Sequence, residues 1–99
     1  SRMLREKDAH EKQLKMREAD LIKHEISHRK LEHLKVQNEI QRVRRDLVRL
    51  KTGRRDVHTL DLIRRTESEL RTLESESRMI DQDIRAKTLE VQRHGSMSF

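Results

Sequence analysis

The apolar residues of this chain fall on one narrow helical stripe. Val36, Ile40, Val43, Leu47, Leu50 and Val57 recur in steps of four, three, four, three and seven. Those steps have the 3.5-residue period of a coiled-coil seam. The stripe extends back through His33, Ile26, Ile22 and Ala19, with an interruption at Arg29. Leu31 and Leu34 lie on a different face, as a local shift of the seam or as a second contact surface. Residues 2–18 are weakly patterned and are expected to form helix with a frayed start. After Leu50 the stripe meets Arg54, then Val57, Leu60 and Ile63 in three-residue steps. From Ile63 it is regular again through Thr66, Leu70, Leu73, Ser77, Ile80, Ile84, Lys87 and Val91. Thr66, Ser77 and Lys87 give the second half the poorer core.

This pattern predicts an all-α chain. The favoured architecture is one long helix over residues 1–94, with a phase change near 51–63 and a flexible tail at 95–99. It would form a coiled coil, as a parallel homodimer. Ile26, Val36, Ile40, Val43, Leu47 and Leu50 would line the dimer seam, followed by Val57, Leu70, Leu73, Ile80 and Ile84. The three-residue steps overwind such a coil and rotate its stripe by more than about 90°. An antiparallel hairpin broken at Thr52–Arg55 is the alternative. Gly53 would then cap the first helix and Asp56 the second. Opposed residues would have numbers summing to about 107, setting Leu50 on Val57 and Val36 on Leu70. One Gly and no Pro between Lys51 and Asp56 is a weak loop signal, which favours the continuous helix.

Composition supports a rod rather than a globule. Only 31% of the 99 residues are apolar and 42% are charged, and Phe99 is the single aromatic. A compact core draws much of its buried area from large aromatics. The chain has no Cys, so disulfides and thiolate metal sites are excluded. No apolar run approaches the roughly 18 residues of a membrane span. The chain begins at Ser1 and is expected to be a piece of a longer, intracellular protein of the cytoplasm or cytoskeleton.

Charge adds the only hint of a partner. Residues 1–55 hold 17 Lys and Arg against 9 Asp and Glu, a net of +8, while residues 56–99 hold 7 against 9, a net of −2. Arg42, Arg44, Arg45, Arg49, Lys51, Arg54 and Arg55 cluster on the best part of the seam, with Asp46 the only acid among them. This surface is expected to dock an acidic protein such as the tubulin lattice. Nucleic acid is the alternative. Without Trp or Tyr, such binding would be directed at the backbone and strongly salt-dependent. A basic-region zipper does not fit, because there the basic segment precedes the heptads.

Two short motifs carry chemistry elsewhere. His24-Glu25-Ile26-Ser27-His28 has the H-E-x-x-H spacing that puts two zinc ligands on one helix face. A zinc enzyme also needs a third protein ligand and a cleft, and a rod offers neither, so these are read as surface residues. Arg64-Arg65-Thr66-Glu67-Ser68 resembles a basophilic kinase site, a pattern common in Arg-rich helices. No nucleophile–base pair or phosphate loop is present, and no enzyme, metal or cofactor is expected.

On its heptads and ionic surface, the whole chain resembles coiled-coil segments of cytoskeletal, centrosomal and ciliary scaffold proteins. The resemblance implies a homodimeric spacer and interaction module that serves protein–protein contacts.

Overall fold

The computed structural model describes residues 2–97, with side chains to His94. It contains two helices, α1 (Arg2–Thr52) and α2 (Val57–Met97). The chain is all-α, as the pattern requires. It is not one helix through Gly53, however, and the loop of the alternative reading is the break observed. α2 continues past the expected end at His94–Gly95, and the last two residues of the expected tail lie outside the described residues.

Phase explains the break. Leu50 closes the seam of α1, and Thr59 opens that of α2. Nine residues at about 100° each would leave the two stripes about half a turn apart on a continuous helix. Reversing the chain lets both stripes face one interior. Local chemistry completes the turn. Thr52 Oγ1 donates to the carbonyls of Val48 (3.0 Å) and Arg49 (3.1 Å), and Arg55 Nη2 donates to Lys51 O at 3.4 Å. Gly53 does not have the positive φ of a left-handed cap. Asp56 then caps α2: its Oδ1 accepts from Thr59 N at 2.8 Å and its carbonyl from Leu60 N at 3.0 Å. The Thr59 hydrogen bond holds the Asp56 carboxyl below its ordinary value.

The chain divides into two compact units, Ser1–Lys30 with Gln82–Phe99, and Leu31–Asp81. The second unit is an αα-hairpin. Ile40, Val43, Ile63 and Ile80 are its buried apolar residues, and Ser77 is the buried polar one. Val36, Leu47, Leu50, Thr66, Leu70 and Leu73 are half-buried at the intervening seam positions. Each helix thus shows the 3,4 alternation read from the sequence.

The pairing partner and register differ from expectation. Within this unit, the seam expected to meet a second copy packs on α2 of the same chain. Bonded partners across this hairpin are His33 and Gln37 with Ser77 and Lys51 with Glu67, pairs whose numbers sum to between 110 and 118 rather than 107. Val57 is corrected from a seam residue to an exposed one, 85% accessible. It is the first residue of α2, and the Asp56 cap gives the seam position to Thr59.

In the first unit, residues 2–18 of α1 are helical and exposed. Ala19, Ile22, Ile26 and Arg29 are half-buried, as are Asp83, Ile84, Lys87, Val91 and His94 of α2.

Candidate functional site

The seam contains polar groups, and most of them have a partner within the chain; His94, whose buried Nδ1 has none among the described residues, is the exception. In the second unit Gln37 Nε2 donates to Ser77 Oγ at 2.8 Å. Ser77 Oγ lies 3.2 Å from His33 Nε2, which is 3.4 Å from Gln37 Nε2. The Ser77 hydroxyl can therefore receive from Gln37 and donate to a neutral His33 ring. His33 was expected to be a packed seam residue rather than a ligand, and the packing observed is of that kind. Gln37 lacked any signal, because its partner is 40 residues away.

The first unit has a charged layer instead. Arg29 Nε and Lys87 Nζ each lie 2.7 Å from Asp83 Oδ2, and Lys87 Nζ is 3.7 Å from Glu25 Oε2. The bonds from Lys87 and Arg29 hold the Asp83 carboxyl below its ordinary value. Arg29 and Lys87 occupy seam positions, so one carboxylate explains the interruptions in both stripes. The same layer bears on the H-E-x-x-H motif. Glu25 faces Lys87, Ile26 is half-buried in the seam, and His24 and His28 are exposed. Among the described residues, no group of three His, Cys, Asp or Glu side chains is arranged to hold a metal.

The cationic cluster divides into neutralised and free members. Arg42 bonds Glu39 through Nη2 and Nε, and reaches Asp46 Oδ2 at 3.3 Å. The hydrogen bond from Arg42 lowers the Glu39 carboxyl from its ordinary value, and the same bond raises the Arg42 guanidinium. Arg49 lies 4.0 Å from Asp46, and Lys51 lies 3.7 Å from Glu67 of α2. Arg44, Arg45 and Arg54 are exposed, and no described carboxylate pairs with them. Arg55 bonds only a backbone carbonyl. Beside the cluster, Asp46, Arg49, Leu50, Leu62 and Thr66 line an open groove of about 300 Å³.

Acids on this part of α1 keep to one line. Glu32, Glu39 and Asp46 recur every seven residues along one flank of the seam. The outer face of α1 from Leu31 to Thr52 therefore carries no carboxylate. Leu31, Leu34 and Val48 stand exposed on it, at 59%, 57% and 61%. That arrangement can attract an anion and cover it with apolar contact.

No protein-family model, curated protein or solved structure matches this chain. No helix among the described residues is long and apolar enough to cross a membrane.

Proposed function

We propose that this chain is a non-catalytic structural module of a larger scaffold protein, whose cationic surface docks an acidic protein partner. The observation that carries this reading is the set of four exposed guanidiniums, on Arg44, Arg45, Arg54 and Arg55, with no carboxylate partner among the described residues. Free cations near a protein surface attract anionic partners over about a Debye length. Arg42 is spent within its own helix, so it adds little to that field. Tubulin is an acidic surface of the right kind and would place the module on the cytoskeleton. Dimerisation through the seam would require α1 and α2 of the second unit to separate, so the module docks as a hairpin.

Salt titration with microtubules, DNA and RNA tests the reading. The expected result is microtubule binding that weakens with salt and is lost in an Arg44→Glu/Arg45→Glu/Arg54→Glu variant of unchanged helicity. Binding of DNA or RNA alone, with the same salt response, would favour the nucleic-acid alternative. Unaltered binding in the triple variant would show that the cluster is merely solvated.

A further inference from the structure

The outer face of α1 in the second unit carries a second seam. Leu31, Leu34, Asn38, Gln41, Arg45 and Val48 recur in steps of three, four, three, four and three. This is the period that lets one helix lie along another. Its three apolar members are more than half exposed. Lys35, Arg42 and Arg49 flank the strip on one side, and Arg44 and Lys51 on the other. The acids of this stretch, Glu32, Glu39 and Asp46, lie outside the strip, beyond the first margin, where Glu39 and Asp46 meet Arg42 and Arg49. A weakly apolar strip therefore runs between two cationic margins.

We propose that this face binds an acidic amphipathic helix of a partner protein, with apolar residues at 3,4 spacing and carboxylates on both flanks. The proposal rests on the acidic-docking reading above and specifies its geometry. Charge complementarity selects the occupant, because neither flank holds a carboxylate, Gln37 is the one uncharged side chain among the flanking cations, and Lys35, Arg44 and Arg45 have no partner among the described carboxylates. The periodic strip selects a helix, because a smooth polyanion has no use for Leu31, Leu34 and Val48. The chain already holds one helix of this chemistry. α2 carries Glu67, Glu74 and Asp81 on one flank of its seam and Glu69 and Glu76 on the other. It packs on the inner seam of α1, with Glu67 meeting Lys51. The outer face repeats the demand and leaves it unmet. Recognition would be of the helix-on-helix type, with apolar anchors one turn apart.

The test uses the full chain and three synthetic probes followed by fluorescence anisotropy. The first is a helix of about four heptads with Leu at the seam and Glu on both flanks. The second carries Lys on the flanks, and the third is polyglutamate of equal length. The Glu-flanked helix should bind saturably, and the Lys-flanked helix should not. A Leu31→Gln/Leu34→Gln variant should bind it about tenfold more weakly. Both residues are exposed, so circular dichroism should show unchanged helix. Equal binding by polyglutamate, or unchanged binding in the Leu variant, would overturn the helix pairing and leave acidic docking standing. Failure of every acidic probe would overturn both.

Discussion

Gln37 donates its side-chain amide to the buried hydroxyl of Ser77 across the hairpin, at 2.8 Å. This bond costs one seam position of α2 some hydrophobic burial, draws on the flank of the α1 seam, and returns a fixed alignment. If the helices slide by one heptad, Ser77 keeps a seam position but loses both polar partners. A double-mutant cycle on Gln37→Ala and Ser77→Ala measures the link. A coupling of about 1 kcal/mol is expected in urea unfolding. A coupling of zero would remove the aligning role.

The cap on α2 makes stability depend on acid. Asp56 is held below its ordinary value of 3.8 by the Thr59 amide. Its contribution is therefore fully present above that value and is lost as pH falls through it toward the folded value. Glu39 and Asp83, also lowered, act in the same direction. Asp56→Asn should keep most of the neutral-pH midpoint and flatten this part of the acid response. Asp56→Ala should lower the thermal midpoint at pH 7 as well.

Burial separates two valine- and isoleucine-bearing positions on one helix. Ile40 is 3% exposed, while Val48 is 61% exposed. Ile40→Ala should cost about 2 kcal/mol by chemical denaturation, at the low end for core truncations because the core is only two helices thick. Val48→Ala should change stability by less than about 0.5 kcal/mol. It should still weaken the acidic helix probe.

The turn can be tested by correcting its phase. Deleting Arg54 and Arg55, with Gly53→Ala and Asp56→Ala, moves the α2 stripe by about 200° and aligns it with that of α1. The variant should form one continuous helix and elute as an antiparallel dimer of unchanged helicity. The parent chain should remain monomeric by light scattering. A monomeric variant would show that the turn residues, not the phase, reverse the chain.

Much of this fold was legible in spacing alone. Every seam position from Ile63 to Val91 lies on the interior stripe, because a 3,4 period survives without strong hydrophobes. The disturbed phase after Leu50 was also visible, and it was the better guide to the break than loop composition. Gly53 follows the helix end but does not take the positive φ of a glycine cap. A threonine hydroxyl and an arginine close it instead. Val57 was misplaced because a cap one residue earlier resets the stripe. Arg29 has its answer in Asp83, 54 residues on, which no local pattern could supply. The split within the cationic cluster was readable in principle. Arg42 has acids three residues before and four after it, and Arg45 has neither.

The four residues from Gly53 to Asp56 also decide how the protein responds to dilution. They tether each half of the hairpin to its complement, at an effective concentration in the millimolar range for so short a link. A two-chain coil with the same thin interior would come apart as its copies grew scarce. In the hairpin unit the seam of α1 is met by α2 of the same chain, so that pairing does not depend on how many copies are present.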